Sequence, residues 1–123
     1  MPLITWWKVV VLERFAQFVG RAGRAEFWWF FLANLIVSVI LSLLGQASTI
    51  FTVLGAIYGL AVLIPGIAVS IRRLHDTGKS GWFLLLYLIP LVGFIILVVF
   101  FATAGNPGVN QYGPPPPGEP ALA

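Results

Sequence analysis

The chain has 123 residues, of which 59% are hydrophobic and 9% charged, and its formal net charge is +3. A typical soluble domain is about 45–50% apolar and about 25% charged. This composition therefore excludes a soluble enzyme, a disordered chain and a free nucleic-acid-binding module. The positive balance is not a nucleic-acid signal either, because the seven Lys and Arg flank apolar runs as membrane anchors do.

In residues 1–20, Trp6, Val10 and Phe18, with Trp7, Val11, Phe15 and Val19, lie close to helical spacing. Lys8, Glu13, Arg14 and Gln17 fall largely between them. The pattern predicts an amphipathic helix lying in the membrane interface, its tryptophans at headgroup depth; the plainer alternative is a poorly ordered tail. The first apolar run, residues 9–12, is too short for the core of a cleavable signal peptide. Residues 20–26 read as a short polar hinge with two glycines.

From Phe27 to Ile71 no residue is charged. A first membrane span is expected over about residues 27–44, whose length of about 27 Å nearly matches a hydrocarbon core of about 30 Å. Trp28 and Trp29 open it as an aromatic belt would. Asn34, Ser38 and Ser42 recur at every fourth position and so share one face, which is expected to meet another helix. After an uncharged turn at 45–49, a second span is expected over about 50–71. Gly55 and Gly59 form a G-x-x-x-G pair that would let two helix backbones approach, and Pro65-Gly66 predicts a kink.

The stretch from Arg72 to Ser80 is the most polar of the chain, and Ser80 is placed to cap a following helix. A third span is expected over about 82–102, kinked near Pro90 and Gly93. The whole is one three-span unit, residues 21–104, behind the interfacial helix 1–20 and ahead of a Gly/Pro-rich tail, 105–123. In that tail, residues 114–117 should form extended polyproline II. All seven Lys and Arg fall before residue 27 or in 72–80, so the positive-inside rule puts that side in the cytoplasm. With three spans, the N-terminus is inside and the C-terminus outside.

Two polar segments carry a family resemblance. Phe18-x-Gly20-Arg21-x-x-Arg24-x-Glu26-Phe27-Trp28 and Arg72-Arg73-Leu74-His75-Asp76-Thr77-Gly78-x-Ser80-Gly81-Trp82 resemble the two signatures of the bacterial domain of unknown function 805 family, the YhaH-like small inner-membrane proteins. Pro90-x-x-Gly93 and Asn110-x-Tyr112-Gly113 match as well. The resemblance spans about residues 15–117. It implies a small multi-span protein of the bacterial inner membrane with unassigned biochemistry, and it brings no catalytic residues.

Gly78-Lys79-Ser80 superficially ends a P-loop, but position 73, where such a loop needs glycine, is Arg73. His75-Asp76 could hint at acid–base chemistry, yet adjacent residues do not face one another on a helix. A single His in a chain without Cys also makes a poor metal site. No catalytic, cofactor or metal site is expected.

The candidate site is therefore a polar cluster: Arg21, Arg24, Glu26, Arg72, Arg73, His75, Asp76 and Lys79. It has three readings: an ion-pair lock on the helix ends, a seat for anionic phospholipid headgroups, or a topology signal alone. The functional expectation is a structural or interaction component of the inner membrane, a homo-oligomer or the companion of another membrane protein. An oligomeric transport or channel component is the alternative, and a lipid-modifying enzyme is the weakest reading, since no nucleophile has a positioned base.

Overall fold

The computed structural model describes residues 2–116, and among these the regular structure is helical. Helix α1 (Pro2–Lys8) winds on through a π-helical turn (Val9–Glu13) and stops at Arg14, whose backbone leaves the helical region at φ −126°, ψ 37°. The single helix expected over 1–20 is thus shorter. Part of it packs against the next helices. The Trp7 indole donates to the Tyr58 hydroxyl at 2.8 Å, and Leu3, Ile4 and Trp7 line a cleft with Ala33, Ile36 and Val37. The segment runs along the apolar flank of the next helices instead of capping their ends.

Two long helices form the frame. Helix α2 (Arg24–Gly45) starts after Gly23, and Glu26 in its first turn complements the positive end of the helix dipole. Helix α3 (Thr49–Asp76) returns antiparallel. They contain the stretches 27–44 and 50–71, and both are long and apolar enough to cross a membrane. At 1.5 Å per residue α3 is about 42 Å long, so its last turns overshoot a hydrocarbon core of about 30 Å and carry Arg72–Asp76 into the polar zone. Gly78 at φ +77° ends it: Lys79 N–H reaches Leu74 O at 2.9 Å and Gly78 N–H reaches His75 O at 3.0 Å, the paired bonds of a Schellman cap.

The face of α2 bearing Asn34, Ser38 and Ser42 does meet α3. Tyr58 donates to Asn34, and Ser38 and Ser42 line a cleft shared with Thr52 and Gly55. The glycine pair behaves differently from expectation. A Cβ on Gly55 would stand in ordinary contact with Leu41 at 3.7 Å, and one on Gly59 would meet nothing within 4 Å. Gly59 therefore faces open space, not a close helix contact.

The third apolar stretch is not one helix. A 3-10 helix (Gly81–Leu88), capped by the Ser80 hydroxyl accepting from Trp82 N–H, is followed by a reversal and by helix α4 (Val92–Ala102). At the reversal Leu91 takes φ 64°, ψ −63°, and Val92 N–H bonds Pro90 O at 2.7 Å, a γ-turn of the rare positive-φ form. Just beyond it, a Cβ on Gly93 would lie 1.7 Å from Leu86 O, so the two arms touch there and only glycine fits. Eight residues at about 2.0 Å and eleven at about 1.5 Å make arms of about 16 Å each, half a hydrocarbon core. Where a kinked span was expected, the chain makes a hairpin.

The tail is consequently not at the opposite end from the 72–80 loop. Asn106 N–H bonds Asp76 O at 2.8 Å, and Asn110 Nδ2 donates to His75 O at 2.9 Å. Residues 103–113 pack on the same end of α2 and α3 as residues 14–26. Hydropathy and charge could not foresee this, since an uncharged run of 21 residues has the same composition whether it crosses or turns back. Pro117 and the rest of the expected proline-rich tail lie outside the described residues.

Candidate functional site

The structure brings the two segments of the predicted cluster, 21–26 and 72–79, together and adds Arg14 and carbonyls of residues 101–113 to them. Glu26, 1% exposed, receives Arg72 Nη1 on one oxygen and Arg14 Nη1 on the other at 2.6 Å. Asp76, 4% exposed, receives Arg21 Nε at 2.8 Å and Arg73 Nη1 at 2.7 Å. Arg72 and Arg73 are fully buried. The i,i+4 neighbours Arg72 and Asp76 therefore do not pair; each turns to a partner elsewhere. Both ends of this network sit where α3 leaves the apolar zone, which lets four guanidinium groups be ordered without carrying a charge into hydrocarbon.

Four arginines against two carboxylates leave positive charge, and backbone carbonyls absorb it. Arg21 also donates to Gly108 O at 2.7 Å, Asn106 O at 2.5 Å and Gly113 O at 3.1 Å. Arg73 donates to Phe101 O at 2.9 Å and to Thr103 O, the carbonyls that end α4. Cations placed there satisfy acceptors that no helical N–H reaches and complement the negative end of the dipole. Arg72 Nε takes Gln17 O at 2.9 Å, and Ala22 N–H returns to Arg72 O at 3.0 Å. Gly105 passes so close that a Cβ would stand 2.0 Å from Asp76 Oδ2, which explains a glycine at the point where the tail crosses the carboxylate.

His75 stands at the edge. Its Nδ1 lies 3.0 Å from Gly20 O, and its ring stacks on Tyr112 with centroids 3.9 Å apart and planes 6° from parallel. The neighbouring Asp76 carboxylate is engaged by two arginines, so the two residues form no acid–base pair. Arg24 reaches toward Ala102 O at 3.5 Å. Lys79 extends over the Phe100 ring, 4.7 Å from its centroid. Among the described residues no three His, Cys, Asp or Glu side chains gather as metal ligands. A cleft of about 310 Å³ borders the cluster at Arg21, Asp76 and Gly105, but the charged groups facing it are already paired with each other.

The sequence reading missed Arg14, Asn106 and Asn110 as members. The motif Asn110-x-Tyr112-Gly113 was visible. Its partners were not, because contacts across 35 residues, such as Asn110 to His75, leave no periodic trace.

Comparison with known proteins agrees with the placement of these motifs. A family model described as "Protein of unknown function (DUF805)" matches residues 15–114. The chain is 44% identical over 119 residues to the inner membrane protein YhaH of Escherichia coli (strain K12), covering 93% of this chain and 98% of that protein. It is 41% identical over 111 residues to the inner membrane protein YhaI of the same strain, covering 89% and 94%. A third relative, the uncharacterized protein YiiR, is 35% identical over 103 residues, which are 78% of this chain and 62% of that protein. No solved structure matches.

Proposed function

The chain belongs to the DUF805 family, and from that premise we propose that it is a small integral protein of a bacterial inner membrane with a structural or interaction role and no catalytic site. YhaH and YhaI are inner membrane proteins by name, and α2 and α3 have the length and apolarity of spans. The observation that carries the reading is the use made of the charged cluster. Its two carboxylates are each taken by two arginines, and the arginines clamp the carbonyls of residues 101–113. The cluster ties the N-terminal segment, the hairpin and the tail to one end of the two spans. The charge-free stretch 27–71 supplies no intramembrane ionisable group of the kind an ion-coupled carrier uses, which disfavours the transport alternative.

The reading includes a topology of two spans and a hairpin that enters and leaves on the basic side. By the positive-inside rule that side is cytoplasmic, so residues 14–26, 72–80 and 103–113 all face the cytoplasm and the 46–48 turn faces outward. The chain has no cysteine, so single-cysteine variants test this directly. Val109, 78% exposed, changed to Cys should resist a membrane-impermeant maleimide in whole cells and react in inverted vesicles. Ser48→Cys should do the reverse. Labelling of both from the same side overturns the topology.

A further inference from the structure

The reversal between the 3-10 helix and α4 leaves backbone polar groups without partners. Pro90 has no N–H, so the Tyr87 carbonyl lacks the donor that one more 3-10 bond would bring. The Leu88 carbonyl fares no better. Val92 N–H turns to Pro90 O, and among the described residues Leu91 N–H donates no hydrogen bond. The rest of the chain does not cover this tip, since Leu88 is 77% exposed and Leu91 71%. Its depth follows from α3. Gly81 abuts Ile71 at the start of the hairpin, and Tyr87 near its end lines a cleft with Gly59. Twelve residues of α3, about 18 Å, separate those levels, which puts the tip in the interior of the bilayer. Lipid offers no hydrogen bond there, and irregular backbone at that depth is tolerated only where protein or enclosed water covers it.

The same level carries a second unpaired set. Tyr58, beside Gly59, bonds Asn34, and Ser38 and Ser42 follow on the same face of α2. Among the described residues neither serine hydroxyl forms a hydrogen bond, and both line an open cleft with Thr52 and Gly55. Gly55 and Gly59, one turn apart on α3, line the two successive clefts, so the hydroxyls and the hairpin share one side of the molecule. A hydroxyl both donates and accepts, so the serines complement an unbonded N–H and an unbonded carbonyl alike. Copies of one chain enter a bilayer with one orientation and one depth. A two-fold axis along the membrane normal therefore sets the tip of each copy against the hydroxyl level of the other. No like charges meet across it, because residues 27–71 and 80–118 carry none.

We infer that the chain forms a two-fold dimer in which the hairpin tip of each copy, residues 88–91, docks into the Ser38–Ser42 cleft of its partner. The inference rests on the two-span reading, since it needs the hairpin to turn within the bilayer.

The test is oxidative crosslinking in membranes that hold two single-cysteine forms of the full chain, Ser38→Cys and Leu88→Cys, one of them tagged. Neither form has a second thiol, so a disulfide between tagged and untagged chains reports contact between copies. That mixed pair should form. Ile40→Cys with Leu88→Cys should not, because Ile40 is exposed near Ser38 but lies outside both clefts. In mild detergent the wild type should be a dimer, and Ser38→Ala should raise its dissociation constant about threefold, the ratio for one interhelical hydrogen bond of average strength. A mixed yield no higher than with Ile40→Cys, a bridge from Leu88→Cys to a different protein, or a wild type that stays monomeric overturns the dimer. If Val109→Cys and Ser48→Cys label from opposite sides while the crosslink fails, the docking alone is lost. If they label from one side, the two-span reading beneath it falls as well.

Discussion

The half of the molecule near the charged cluster and the far half of the α2–α3 hairpin are made from equally apolar helices, but they are held in different ways. In the near half, Val10, Phe27, Phe30, Val69, Leu74, Leu97 and Phe101 form a buried core with the π-helical turn on one side and α4 on the other. Between Asn34 and Ile64 no residue is buried. There the two helices have only each other and whatever surrounds them. In a bilayer, apolar side chains gain little by leaving lipid for protein, so packing and polar contacts decide which segments associate. The near half has both, in a dense core under a knot of ion pairs. The far half has the Tyr58–Asn34 bond at its base and a cleft of hydroxyl side chains above it.

That contrast ranks the effects of substitution. The largest is expected at Asp76→Asn, which leaves Arg21 and Arg73 buried without their carboxylate; removing one partner of a buried pair costs about 3–5 kcal/mol. The thermal midpoint in mild detergent should fall sharply. Arg73→Gln in that background should restore part of the loss and Arg72→Gln should not, because Arg72 serves Glu26. Rescue by Arg72→Gln would break the pairing scheme on which the near half rests.

Next comes the hairpin turn. Gly93→Ala drives a methyl into Leu86 O and should cost about 1–3 kcal/mol as an overpacking change, whereas Gly59→Ala should leave the midpoint unmoved. Equal effects at the two positions would mean that the 3-10 helix and α4 do not fold back on each other.

A smaller loss is expected at Tyr58→Phe, which cuts the chain from Trp7 through Tyr58 to Asn34. Interhelical hydrogen bonds in membranes average about 0.6 kcal/mol. Its signature should be local: faster proteolysis within residues 2–13, with the rest of the chain protected as before. The smallest effect is Ser42→Ala in the far half, within about 0.5 kcal/mol. A larger loss there would sharpen the comparison, since it would show that the open cleft Ser42 lines between α2 and α3 is filled by a further group in the membrane.

Composition and charge placement by themselves determined that this is a membrane protein and where its two long apolar helices run, although they also predicted a third span over about 82–102 that the structure breaks into two short helices. They also determined that its charged residues gather at one end and that Ser80 caps the element after the polar loop. These properties are local: hydropathy along α2 and α3, and the spacing of a few polar residues, are written in consecutive positions. Only the tertiary structure decided that residues 81–102 turn back and that the tail returns to the cluster. It also decided that Arg72 pairs with Glu26 while Arg73 and Arg21 share Asp76. The γ-turn at Leu91, the close approach at Gly93 and the carbonyls held by Arg21 and Arg73 depend on groups brought together across tens of residues, and a one-dimensional pattern carries no record of them.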